Sequence, residues 1–122
     1  MTIRNVIAQL RTTDLDRSID FYTSTLGMTL EFRYQDFYAG IRSGDHIVHL
    51  KRVDARDSSI DDVREHGHFH LYFEVDDVRG LAETLRGRGV PLVSDVCDTD
   101  WQTREFVIED DQGHTLYFGQ PL

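Results

Sequence analysis

The histidines are the side chains of this sequence best suited to chemistry, and they are grouped. His66, His68 and His70 alternate, so a strand through them would turn all three to one face, and His46 precedes His49 by three residues. Alternating imidazoles can hold Zn²⁺. His66 and His68 sit at the edge of a polar stretch, however, where exposed side chains are expected, and metal there reads as adventitious. Glu74, on the same strand face as His70, is the best spare carboxylate. Cys97 is the only cysteine, which excludes an internal disulfide, points to a reducing compartment and reads as a half-buried residue rather than a nucleophile. Asp76-Asp77 and Asp110-Asp111 have the right type for acid–base work, but both fall in turns, where capping is the simpler role. Trp101, after Asp98-Thr99-Asp100, and Tyr38, beside Phe37, are placed to stack on a planar ligand or meet a cation. No G-x-S-x-G, Walker A or G-x-G-x-x-G string occurs, and Gly87-Arg88-Gly89 ends a helix instead of opening one over a phosphate.

The elements that must position these residues come in two similar sets. Residues 9–30 and 71–92 both run from an extended stretch through an acidic turn into an amphipathic helix, then a glycine and a new strand. Asp14-Leu15 and Asp77-Val78 lie 63 positions apart. Leu15, Ile19, Tyr22 and Leu26 form one apolar stripe at helical spacing, with Thr13 or Asp14 as N-cap and Gly27 as stop. Phe21 and Tyr22 therefore read as packing. Val78, Leu81, Ala82 and Leu85 repeat the stripe. Strands are predicted at 3–11, 29–35, 37–42 and 46–51, then at 69–75, 91–96, 103–108 and 115–119. The polar residues 54–67 show no sustained period and read as a linker between a first module, 1–53, and a second, 68–122, within a single domain. The predicted fold is α+β: two βαβββ modules, helices outside, with a curved mixed sheet around a cleft.

Length and charge bound the function. The chain has 122 residues, enough for one domain with a modest core. No apolar run approaches the roughly 20 residues of a membrane span, and no signal peptide is evident, so a cytoplasmic location is expected. The formal charge is −9. It is uneven: residues 1–62 carry 8 Lys+Arg against 10 Asp+Glu, and residues 63–122 carry 5 against 12. Such a surface repels phosphate backbones and anionic membranes, which argues against both as partners. The acidity suits a cationic ligand, although it more often serves solubility.

The segments LRTTDLDRSIDFYTSTLGM and REFVIEDDQGHTLYFGQ resemble the vicinal oxygen chelate superfamily, which includes glyoxalase I, extradiol dioxygenases, and fosfomycin and bleomycin resistance proteins. The likeness is greatest to bleomycin-resistance-like members. In metal-dependent members one ligand comes from the first and fourth strands of each module. Carried over residue by residue, these positions fall on Ile7, His49, His70 and Tyr117. Ile7 has no donor atom, and a phenol of pKa about 10 is a reluctant ligand. The resemblance therefore implies no cofactor, with His49 and His70 as the only metal ligands should a divalent ion bind. Strand parity with these positions selects Ile7, Gln9, Ile47, His49, His70, Tyr72, Glu74, Thr115 and Tyr117 as the cleft face, a mix usual for small-molecule pockets. Trp101, in DTDWQTREF, resembles the loop that borders the cleft in bleomycin-resistance-like members. The expected ligand contacts are thus His49, His70, Tyr72, Trp101, Tyr117, Tyr38 and Glu74.

Three functions fit these residues. The first is a metal-free protein that binds or sequesters a small aromatic or cationic compound. The second is a metal-dependent lyase, isomerase or dioxygenase whose ligand set has drifted, and the third is a dimerisation or regulatory domain without a small ligand. The resemblance also implies a homodimer.

Overall fold

The computed structural model describes all residues, 1–122, and divides into two compact units, Met1–Asp57 and Ser58–Leu122. The first runs β1 (Ala8–Thr12), α1 (Leu15–Asp20), β2 (Thr29–Tyr34), β3 (Tyr38–Ser43) and β4 (His46–Arg52). The second runs α2 (Ser59–Glu65), β5 (Leu71–Glu74), α3 (Val78–Gly87), β6 (Ser94–Asp98), β7 (Thr103–Glu109) and β8 (Thr115–Pro121). Each unit builds one four-stranded mixed sheet, in the orders β1-β4-β3-β2 and β5-β8-β7-β6. In both, the first strand pairs in parallel with the fourth, and the rest is antiparallel. The α+β class and the twice-repeated βαβββ order match the reading of the sequence.

Each helix starts on an aspartate 63 residues from its counterpart. Asp14 accepts from the Arg17 amide at 3.1 Å and Asp77 from the Gly80 amide at 3.0 Å, satisfying N–H groups that a helix start leaves unpaired. After α1 the chain widens into a π-helical turn, Phe21–Thr25, that keeps Tyr22 fully buried. Leu15 and Tyr22 join Leu10, Ala39, Ile41, Val48 and Leu50 in the first core. A small polar knot ties β1 to α1: Ser18 Oγ donates to Thr12 Oγ1 at 2.7 Å, and Thr12 Oγ1 in turn bonds the backbone of Asp14. The second core joins Val78, Ala82 and Leu85 of α3 to Phe106, Ile108, Leu116 and Phe118, with Phe73, Phe118 and Phe106 stacked at 4.9 and 5.0 Å. Each fully buried Leu, Ile or Phe contributes roughly 1.5–3 kcal/mol. These cores lie mainly on one side of each sheet; the opposite, more open faces expose Gln9, Phe32, Tyr72 and Glu74, although Glu105 and Val107 on the second are buried.

Four expectations are corrected. Residues 54–67 are not all linker, because Ser59–Glu65 is helical and buries Ile60. His66 caps the end of that helix, so His66, His68 and His70 do not alternate along a strand. The first strand begins at Ala8, leaving Ile3 to Ile7 outside any strand. Pro91 to Val93 likewise lie outside β6.

Candidate functional site

The open face of each sheet is organised in crosswise rows fixed by strand register. In the first unit, Gln9, His49, Gly40 and Phe32 stand side by side on β1, β4, β3 and β2. The next row is Arg11, Lys51, Tyr38 and Tyr34. Alternation places these residues opposite the buried Leu10, Val48, Leu50, Ala39 and Ile41. Gln9 Nε2 donates to Tyr38 Oη at 3.1 Å, and the same oxygen is hydrogen-bonded to His49 Nδ1 at 3.0 Å. Phe32 lies flat over Gly40, where a Cβ would overlap its ring, and meets the edge of His49 with centroids 5.4 Å apart. Lys51 sits 5.9 Å from the Phe37 ring centroid, a cation–π contact.

In the second unit the corresponding rows are Tyr72, Tyr117 and Val107, then Glu74, Gly119, Glu105 and Cys97. Tyr72 leans out of its own row across Gly119, where a Cβ would collide with its hydroxyl, and donates to Glu105 Oε2 at 2.8 Å. Thr103 Oγ1 donates to the same oxygen at 2.9 Å. Burial first, then the bond to Glu105 and the charges of Glu105 and Glu74, push the Tyr72 phenol up to about 12, so it remains a donor at neutral pH. Phe69 packs beside both tyrosines, 5.7 Å from Tyr72 and 5.2 Å from Tyr117. Tyr117 also donates to the Gly67 carbonyl at 3.4 Å.

Within units, the structure brings His49 together with Tyr38, and Tyr72 together with Tyr117, while Glu74 stands in the row next to theirs. Two expected residues stand apart. His70 precedes β5, and its Nδ1 accepts from the Thr115 amide at 3.2 Å while Nε2 lies 3.3 Å from Ser59 Oγ. Its ring meets His114 edge-on at 4.6 Å, and His114 is itself buried against Asp110. Trp101 lies in the turn between β6 and β7 and is 69% exposed. Glu105, Phe69 and Phe32 were not singled out from the sequence. Alternation along Thr103–Glu105–Val107 is the signal that could have found Glu105; for Phe69 and Phe32 the pairing of distant strands had to be known.

The donors do not fit a divalent ion. A metal needs a lone pair on each imidazole. On His70 the Nδ1 lone pair already accepts a backbone N–H, and His49 Nδ1 is taken up in its hydrogen bond with the Tyr38 hydroxyl. No group of three or more His, Cys, Asp and Glu side chains is arranged to hold a metal.

Residues 4–118 match the Glyoxalase/Bleomycin resistance protein/Dioxygenase superfamily, and the chain belongs to that superfamily. The fold is similar to a bleomycin-binding protein from Streptomyces verticillus, solved with copper(II)-bleomycin, at a TM-score of 0.73 and 22% identity, covering 97% of this chain and 96% of that one. It is also similar to a lactoylglutathione lyase from Agrobacterium tumefaciens, TM-score 0.76, 16% identity, covering 98% and 95%. A glyoxalase-related enzyme from Clostridium phytofermentans gives 0.81 at 15% identity over 100% and 98%. No curated protein matches the sequence. No helix is long and apolar enough to cross a membrane.

Proposed function

We propose that the protein binds a small organic compound, aromatic or cationic, on the open faces of its sheets, and holds or sequesters it without a resident metal ion. The observation that carries this reading is the ring group of Phe69, just before β5, with Tyr72 on β5 and Tyr117 on β8, in which Phe69 and Tyr72 are exposed and Glu74 and Glu105 stand in the next row. Aromatic surface that is left uncovered by the core, and is positioned by hydrogen bonds, suits stacking on a planar or cationic molecule. The similarity to a bleomycin-binding protein is consistent with this use of the fold. The donor chemistry of His49 and His70 supports the metal-free form of the reading over a lyase or dioxygenase.

The test is a panel of aromatic and amine compounds titrated into chelator-treated ¹⁵N-labelled protein. Saturable shifts of amides on the open-face strands are expected. A panel without a binder, or binding that requires one equivalent of metal, would contradict the reading. A homodimer is carried over from the family resemblance and a cytoplasmic location from the apolar pattern of the sequence; light scattering at micromolar protein checks the first and cell fractionation the second.

A further inference from the structure

The row Glu74, Gly119 and Glu105 sets two carboxylates on either side of a residue with no side chain, two strand spacings or about 9.5 Å apart across the sheet. One row along stand Tyr72 and Tyr117, and with Phe69 they form a ring group whose centroids lie 5.2 to 6.4 Å apart, mutually tilted by 36 to 57°. Glu105 is 9% exposed. Both of its hydrogen bonds, from Tyr72 and Thr103, end on Oε2, so Oε1 is left to an incoming donor. Neither carboxylate is a partner in the ion pairs of the unit, in which Arg64 meets Glu109 and Asp61, Arg86 meets Asp95, and Arg104 meets Asp98.

A carboxylate nine-tenths buried and without a cation is costly unless something supplies the charge. The neighbouring rings also present negative faces. A protonated amine answers both, since an N–H can bond Oε1 while the adjoining methylenes and positive charge lie on the rings. A carboxylate or phosphate would meet Glu74 and Glu105 at close range and be repelled.

We propose that the open face of the second unit is a subsite for a primary or secondary ammonium group, anchored by Glu105 Oε1, flanked by Phe69, Tyr72 and Tyr117, with Glu74 as an outlying charge. This rests on the small-molecule reading above and narrows its ligand class.

The test compares 2-phenylethylammonium with its neutral counterpart 2-phenylethanol, each titrated into ¹⁵N-labelled protein near neutral pH. The amine should bind at least roughly tenfold more tightly than the alcohol, with shifts centred on Tyr72, Tyr117 and Gly119. Glu105→Gln keeps the side-chain shape and an acceptor for Tyr72 and Thr103. It should bring the amine to within about threefold of the alcohol while the remaining spectrum stays folded. Equal binding of amine and alcohol, or an amine preference that survives Glu105→Gln, would overturn the subsite and leave the small-molecule reading standing. So would silence toward the amine while a neutral panel compound binds. Failure of every panel compound to move resonances on either face would overturn both.

Discussion

The two units place different chemistry on equivalent positions of the same sheet. Register aligns Gln9 with Tyr72, His49 with Tyr117, Arg11 with Glu74, Lys51 with Gly119 and Tyr38 with Glu105. Where the first unit has two cations and a phenol, the second has two carboxylates and a gap. Even so, both link the first strand to the third by a side-chain hydrogen bond at the same pair of positions, Gln9 to Tyr38 and Tyr72 to Glu105. Both also lay an aromatic ring over a glycine, though from opposite edges: Phe32 comes from β2 and Tyr72 from β5. The scaffold therefore fixes where side chains meet across the open face, and the sequence of each unit decides what chemistry that face presents.

Substitutions can break this comparison, and the largest effect should come from the glycine in the second unit. Gly119→Ala forces the Tyr72 hydroxyl away from Glu105 and removes a donor from a nearly buried carboxylate, a loss of roughly 1–3 kcal/mol. Gly40→Ala displaces only Phe32, a ring on an exposed edge strand with no polar partner to abandon, and should cost under about 1 kcal/mol. Urea unfolding of both variants measures the difference; equal losses would show that the Tyr72–Glu105 bond adds little.

A sharper probe of the same bond is pH. The Tyr72 phenol has its folded pKa raised from 10.0 to about 12, so folding keeps a proton that the unfolded chain releases earlier. Its contribution is fully present below pH 10 and is lost as pH rises toward 12. Tyr72→Phe should flatten this part of the stability curve and cost about 1 kcal/mol at neutral pH through the lost hydrogen bond. Absorbance titration of the five tyrosines should lose one late-ionising group in that variant. An unchanged titration would assign the late ionisation elsewhere. The smallest effect belongs to Trp101. Exposed in its turn, it should change stability by less than about 0.5 kcal/mol on replacement by Ala. A larger loss would mean that it packs against something.

The repeat was legible in the sequence because it rests on local signals. Asp14 and Asp77 cap their helices through contacts three residues away, and the stripes Leu15–Tyr22 and Val78–Leu85 follow helical spacing. What was missed depends on distant partners. Ile3, Val6 and Ile7 have strand-forming side chains but lie outside any strand, and propensity alone does not make a ladder. The seven-residue helix α2 fully buries one residue, Ile60, too little to show a period. His70 looked like a residue of the open face until the Thr115 amide, 45 positions away, was seen to claim its Nδ1. Glu105 shared a readable alternation with Thr103 and Val107, yet its importance comes from Tyr72 crossing over Gly119, which only the register of β5 on β8 reveals.

The most direct test of the central claim is one NMR titration of an organic ligand from the panel into protein stripped of metal by chelation, repeated with one equivalent of Zn²⁺. The account predicts the same saturable binding in both, with shifts on the open-face strands, because Nδ1 of His49 and Nδ1 of His70 are already held in hydrogen bonds. Binding that appears only with Zn²⁺, and is lost on His49→Ala or His70→Ala, would contradict it.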